Sequence, residues 1–386
     1  MACDRTAIDS LGGMTVTLLE TGRRLVTSGD RVTWLTGRLN DSIPSEGVIE
    51  GIEVVSHPAL DTGFRNLMSL RGFFRSTVDH LLRNGNIEAA IIHQPIAGEA
   101  IGRRLRQAGV PSCYFFHSPW AREFQIQTGI GSPGGRLRYH LRHTIEGRAL
   151  RSFSQVIVFS QTMTDLLQTD HSGAPAPVRV TPGINLERFH PPVDRTASRN
   201  RLNWPESGTI LLTVRRLVPR MGVDMLIQAF HTISEEYPDM LLVIAGNGPL
   251  KEELEALAQQ LEIADRVRFT GYLAGEDLVE AYGAADLFVM PTRALEGLGL
   301  VTLEAMACGT GVVATPVGGN VELITPFDPG LLTPEATPEG LSSTLHSVLA
   351  RGPDYLEELG ERARTHVESR YGWEKTTADI RAVFKR

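Results

Sequence analysis

The chain has 386 residues, 42% of them apolar and 22% charged, with a formal net charge of −7; this is the length of two or three ordinary domains and the make-up of a soluble globular protein. No apolar run reaches the roughly 18 residues of a membrane span and no basic-then-apolar leader opens the chain. Cys3, Cys113 and Cys308 are odd in number and widely spaced, which argues against a disulfide frame or a zinc site, so a cytoplasmic protein with reduced, buried thiols is expected.

The charge is uneven. Residues 1–184 carry 19 Arg and no Lys against 16 Asp and Glu, a balance of +3, and the remainder carries 19 basic against 29 acidic residues, a balance of −10. The first half is therefore the side expected to meet an anionic partner.

In the opening stretch MACDRTAIDSLGGMTVTLLETGRRLVTSGDRVTWLTG, the spacing of Val16, Leu18, Leu19 and Leu25 predicts a helix from Thr15 to Ser28. Gly29 and a strand at Val32 to Thr36 follow. A doubly wound domain begins with a strand before such a helix, yet only Met1 to Cys3 stand ahead of the loop, so a truncated first strand is expected. Further strands are expected at Ile52 to Ser56, Ala89 to His93, Ser112 to His117 and Gln155 to Ser160, with helices at Asn66 to Arg83 and Gly98 to Gln107.

His117 closes its strand at the carboxyl end, a place for a ligand as well as for a structural imidazole. Residues 136–151, RLRYHLRHTIEGRALR, form a helix with five Arg, two His and one Glu. Arg clusters attract anionic lipid head groups, and a weak membrane-surface contact at the inner face is one reading. With no Trp or Phe in the run to anchor it, a solvated face paired in part by Glu146 is favoured.

VRVTPGINLERFHPP ends the first half, and Pro191, Pro192, Asp194 and Ser198 continue as a polar linker, which puts the boundary between residues 184 and 185. Ile210 to Val214 is a strand leading into RRLVPRMGVDMLIQAF. Leu241 to Ala245 is another, followed by GNGPL and a helix starting near Pro249. GNGP does not complete a dinucleotide fingerprint, and no acid-ended strand follows at the required distance. A strand at Val267 to Tyr272, a helix at Glu276 to Ala284, helices near 337–350 and 354–369 and an amphipathic tail, YGWEKTTADIRAVFKR, complete the chain.

Between them lies the stretch from Asp286 to Ile324. It reads as a strand (Leu287 to Met290), a loop with Glu296, Gly297 and Gly299, a helix (Leu300 to Cys308), a second strand (Val312 to Thr315) and a Gly318-Gly319 turn. This is a parallel βαβ unit, and ligands in such sheets sit beyond the carboxyl ends of the strands. Gly297 and Gly299 before a helix let backbone amides approach an anion where the dipole is positive. Glu296 and Glu304, eight positions apart, can accept hydrogen bonds from hydroxyls on either side of a bound phosphate. An ordinary helix start carrying Glu residues accounts for the same spacing equally well.

The run EGLGLVTLEAMACGTGVVAT resembles the Glu-x7-Glu region of the retaining family-4 glycosyltransferases, also called glycosyl transferase group 1. Their GT-B fold is α/β, with two Rossmann-like, doubly wound parallel-sheet domains facing a cleft. The resemblance implies an N-terminal acceptor-side domain at 1–184, a nucleotide-sugar-binding domain at 185–371 and a tail, 372–386, that crosses back to the first domain. It implies that Glu296 contacts the donor sugar, that the amides of Gly299 and Leu300 hold the distal phosphate, that Gly297 and Leu298 belong to the same donor-binding loop, and that Glu304 grips the ribose. Gly271, Tyr272 and Leu273 fall where the family binds the nucleobase, GGMTV puts Gly12 and Gly13 at its phosphate-approaching loop, and HSPW resembles the segment whose His, here His117, reaches the donor sugar.

RRLVPRMG is similar to the family's GRLxxxKG, with Arg216 matching the diphosphate-binding Arg. Here the sequence departs from the pattern: Met221 stands in place of the Lys and Arg215 in place of the Gly. Met cannot neutralise phosphate, so either Arg220 reaches in or the donor site is weakened.

The implied function is transfer of a sugar, with retention, from a nucleotide-diphosphate sugar, UDP by prior, to an acceptor hydroxyl without metal or other cofactor. The acceptor, whether sugar, lipid or glycan, is not named by the sequence, and no nucleic-acid partner is implied. The rivals are a non-transferring partner protein on the same fold, a nucleotide-sugar epimerase, and a phosphorylase. A phosphorylase would need a cofactor lysine, and only Lys251, Lys375 and Lys385 exist.

Overall fold

The computed structural model describes residues 1–6, 12–38, 40, 42–58 and 64–385. The chain divides into two compact units, Met1–Pro182 with Trp373–Arg386, and Gly183–Gly372.

The first unit is built on β1 (Ala2–Thr6), β2 (Thr33–Arg38), β3 (Glu46–Ile49), β4 (Ile52–His57), β5 (Ala90–Ile92), β6 (Ser112–Phe115), β7 (Gln155–Val158) and β8 (Pro177–Arg179). They form one sheet in the order β3-β4-β2-β1-β5-β6-β7-β8. β3 and β4 pair antiparallel through Glu50 and Gly51, both at positive φ, as a two-residue hairpin turn requires. The other neighbours are parallel, and helical crossovers such as Phe64–Arg83 and Pro95–Gln107 return the chain between them. The order reverses between β1 and β5, so a crevice opens beyond their carboxyl ends.

A five-residue strand, β1, precedes the first helix and lies in the middle of the sheet, where the sequence reading counted only Met1 to Cys3 ahead of the loop. Its charge concealed it. Asp4 is buried within the strand because its carboxylate accepts hydrogen bonds from the amides of Ile96 and Ala97, at 2.9 and 2.5 Å. These are otherwise unpaired donors in the first turn of the helix Pro95–Gln107, where negative charge is favoured.

The second unit is a five-stranded sheet of β9 (Ile210–Val214), β10 (Leu241–Ala245), β11 (Val267–Gly271), β12 (Leu287–Met290) and β13 (Gly311–Ala314), in the order β11-β10-β9-β12-β13. All neighbours are parallel. The unbroken apolar runs ILLTV, LLVIA and LFVM are buried along nearly their whole length, as strands covered by helices on both faces must be. Reversal of the order between β9 and β12 places the switch point at Val214 and Met290.

The expected polar linker at 191–198 is corrected as well. Arg195–Arg201 is a helix capped by Asp194, whose carboxylate accepts from the Ala197 amide at 3.1 Å. Arg199, 5% exposed, pairs with Asp286 at 2.7 Å, and the same carboxylate accepts from the Ile210 amide at 2.6 Å. The segment is thus tied to the starts of β9 and β12.

The tail helix Trp373–Val383 belongs to the first unit, where Ile380 and Val383 pack with Ile91, Cys113 and Phe115. All three cysteines are buried and unpaired, and burial pushes the Cys3 and Cys113 thiols up to about 12. Among the described residues, no helix is long and apolar enough to cross a membrane.

Candidate functional site

β9 and β12 deliver their following loops to the switch point of the second unit. From β12 the chain runs through Pro291 and Thr292 to Leu295, which stands at φ 56 although it is not a glycine, a conformation that persists only where neighbours hold it. Arg220 supplies that hold. Its carbonyl accepts from the amides of Arg293 and Ala294 at 2.9 and 3.2 Å, and its Nη1 donates to the Leu295 carbonyl at 2.8 Å.

Glu296 follows, 7% exposed, with Oε2 accepting from Arg215 Nη2 at 2.7 Å and from Thr292 Oγ1 at 3.0 Å. Burial alone would raise this carboxyl. The Arg215 guanidinium, helped by Arg220 and Thr292, outweighs burial and holds it below the usual carboxylate value, so Glu296 is an anion at neutral pH.

Gly297 and Leu298 lead to Gly299, the N-cap of the helix Leu300–Ala307, at φ 76. No side chain caps this helix and its first turn carries no acid, so its first amides are available to an anion. The loop is shaped by the turn after β13. Gly319 donates its amide to the Glu296 carbonyl at 3.0 Å, and Gly318 lies so close, at φ 60, that a Cβ there would run into the same oxygen.

Glu304 lies inside that helix, 7% exposed, and accepts from Tyr282 Oη at 2.7 Å. Burial raises its pKa, against the opposing pull of Tyr282 and Arg188.

The loop after β9 departs most from the sequence reading. Arg216, the residue singled out, is exposed. Arg215, which was not, turns inward with its side chain 5% exposed and meets Glu296, Thr292 Oγ1 at 3.0 Å, and the thioethers of Met221 and Met290 at 2.7 and 3.0 Å. GNGP has a structural purpose here. Arg215 donates its amide to the Ala245 carbonyl and Leu217 to that of Asn247, and a Cβ at Gly246 would strike the Arg215 carbonyl.

Gly271, at φ 72, ends β11, and Tyr272 beyond it is 39% exposed with Leu273 half-buried.

In the first unit, Gly12 and Gly13 are exposed at the N-terminus of the helix Gly13–Thr27, where no side chain caps the amides; residues 7–11 lie outside the described set. His117 is half-buried just past β6, and its Nε2 lies 2.9 Å from Nδ1 of His93, at the end of β5. Its ring stacks on Phe115, with centroids 4.6 Å apart. Burial pushes the His117 pKa down to about 3 and that of His93 well below its ordinary value, the latter with help from His117. Both rings are neutral at physiological pH, so one must donate and the other accept. Sequence reasoning missed His93, whose only signal was its place at a strand's carboxyl end.

The basic helix, observed at Pro133–Leu150, has a different interior from a fully solvated face. Glu146 is 1% exposed, accepts from the Trp120 amide at 2.9 Å and pairs with His171 at 3.2 Å.

Two doubly wound sheets with acids, glycines and helix N-termini at their switch points define the GT-B class of glycosyltransferases. Residues 11–188 match Glycosyltransferase Family 4 and residues 194–366 match Glycosyl transferases group 1, and the chain belongs to this family. A GDP-mannose-dependent monoacylated alpha-(1-6)-phosphatidylinositol monomannoside mannosyltransferase of Corynebacterium glutamicum is 36% identical over 200 residues, 50% of this chain and 51% of that protein. A D-inositol 3-phosphate glycosyltransferase of Geodermatophilus obscurus is 29% identical over 408 residues, 99% of this chain and 86% of that one. Among solved structures, sucrose-phosphate synthase from Thermosynechococcus elongatus superposes with a TM-score of 0.82 at 25% identity, covering 100% of this chain and 98% of its own.

Proposed function

We infer that this glycosyltransferase draws its sugar from a nucleoside-diphosphate sugar and passes it to an acceptor hydroxyl with retention of configuration and without a metal ion. The observation that carries the reading is the ionised Glu296, anchored on Arg215 directly ahead of an uncapped helix N-terminus, with Glu304 buried one turn into that helix.

In this reading Glu296 accepts from hydroxyls of the donor sugar, and the amides of Gly299 and Leu300 hold the distal phosphate. Glu304 grips the ribose and the Gly271-Tyr272-Leu273 segment meets the base. Arg216, exposed beside the switch point, pairs with the diphosphate, and Arg220 acts by holding the Leu295 backbone. The anomeric carbon–oxygen bond to the diphosphate breaks, the acceptor oxygen bonds to the same face, and its proton passes to the departing phosphate oxygen. The fixed helix amides and guanidinium stabilise the charge that develops there. In the first unit, His117, a neutral imidazole, and the exposed Gly12 and Gly13 are the candidates for ligand contact at that unit's own switch point.

A uridine donor is the starting expectation, and the Corynebacterium relative's name, with GDP-mannose in it, makes guanosine the first alternative. The test is a thermal-shift and sugar-release screen against UDP-, GDP- and ADP-sugars. Stabilisation by one nucleotide with slow release of its sugar supports transfer. Stabilisation without turnover, even with acceptor extracts added, would favour a non-transferring partner protein.

A further inference from the structure

We propose that Arg215 is a second cation, beside Arg216, that meets the donor's diphosphate in this chain, delivered from the start of the loop after β9 and occupying the place left by an uncharged Met221. The proposal rests on the donor reading above and adds to it a residue that sequence matching passes over.

The geometry is that of a buried guanidinium only partly used. Its side chain is 5% exposed, yet oxygen acceptors reach it at Nη2 alone, from Glu296 and Thr292. Nη1 has only the Met290 thioether, a weak acceptor, and Nε has no partner. A buried guanidinium normally satisfies its donors, because an unpaired one costs free energy.

One of the unused donors, Nη1, lies beside a residue that also packs on the phosphate-directed helix. Met290 has its sulfur against Arg215 Nη1, and its methyl carbon would be 2.8 Å from a Cβ at Gly299, the N-cap of the phosphate-directed helix. The guanidinium and the helix amides therefore flank one methionine. An anionic oxygen seated on those amides would give Arg215 the acceptor it lacks, while Nη2 keeps hold of Glu296. One residue would then couple the phosphate to the carboxylate that faces the sugar.

Met221 completes the argument. Its sulfur touches the same guanidinium at 2.7 Å, so a side chain from position 221 reaches the same spot. A cation from either position would fill that spot, and a second would crowd the first.

The experiment is isothermal titration of the full chain with UDP, GDP and ADP and with uridine, guanosine and adenosine, on wild type, R215G, M221K and R215G/M221K. The expected result is a loss of diphosphate affinity of about tenfold to a hundredfold in R215G, the range of a charged hydrogen bond, with nucleoside affinity unchanged. R215G/M221K recovers most of the loss, and M221K alone gains nothing. R215Q/E296Q, which removes both charges and keeps their shape, supplies a second folded background expected to show the R215G loss. Unchanged diphosphate affinity in R215G and R215Q/E296Q, or an equal loss for nucleoside and diphosphate, would reduce Arg215 to a structural prop and overturn the proposal while leaving the donor reading intact. A wild-type chain that binds no nucleoside diphosphate overturns both.

Discussion

Tyr282, fully buried, donates its hydroxyl to Glu304 at 2.7 Å and so fixes a carboxylate that burial alone would drive toward its neutral form. Tyr282→Phe removes that bond and nothing else of the ring. It should lower the stability of the second unit by about 1 kcal/mol and weaken nucleotide binding severalfold, read by urea unfolding and by titration with the preferred nucleoside diphosphate. Glu304→Ala should weaken the same binding by about 1–3 kcal/mol. Normal nucleotide affinity in both variants would remove Glu304 from the site.

Glu296→Ala should act on a different quantity. The carboxylate is assigned to the sugar, so kcat for transfer or sugar release should fall by about 10²–10³, the range for loss of one transition-state contact. Affinity for the free nucleoside diphosphate should fall much less. Steady-state kinetics set beside titration separates the two, and an equal loss in both would move Glu296 to a purely structural role.

Gly318→Ala tests how the donor loop is shaped. The added carbon meets the Glu296 carbonyl oxygen at a backbone conformation that L side chains rarely adopt, so the loop must shift or the turn must open. A stability loss of more than about 2 kcal/mol is expected, with loss of sugar transfer. A fully active variant with an unchanged melting temperature would mean that the turn does not set the loop.

The His93–His117 pair makes the first unit sensitive to acid. Unfolded imidazoles take up protons near pH 6.5, whereas folded His117 does so only near 3 and folded His93 well below its ordinary value. The folded pKa values are depressed, so protonation favours the unfolded chain. The contribution to stability is complete above about pH 6.5 and is lost as the pH falls toward 3. Melting temperatures measured from pH 4 to 8 should drop on the acid side, and His117→Asn should flatten that drop; an identical profile in the variant would mean that other groups carry the titration.

The βαβ unit around Glu296 was legible because two short apolar runs, a Gly-bearing loop and a helix between them leave little choice of arrangement. β9, β10 and β12 were read with their observed ends for the same reason: they are uniformly apolar and flanked by turn residues. β1 was lost because pattern reading treats Asp4 as a solvent residue, and its partners, the Ile96 and Ala97 amides, lie more than ninety positions away. Arg215 was noted only as a departure from the resembling pattern. Its burial depends on Met290, Thr292 and Glu296, 75 to 81 residues further on. The joint departure at 215 and 221 was the signal available, since two changes in one loop that exchange a small residue for a cation and a cation for an apolar chain suggest a shared position. The capped helix Arg195–Arg201 was hidden by the prolines before it, although Asp194 is a good cap residue.

The shape of the 296–299 loop is stored outside it. Gly319 holds the Glu296 carbonyl and Gly318 leaves room for it, both from a turn more than twenty positions further along the chain. Residues 296–304 moved alone onto another parallel sheet would carry the two carboxylates and the helix start but not their spacing, whereas a graft that also brings 315–320 would arrive with its mould.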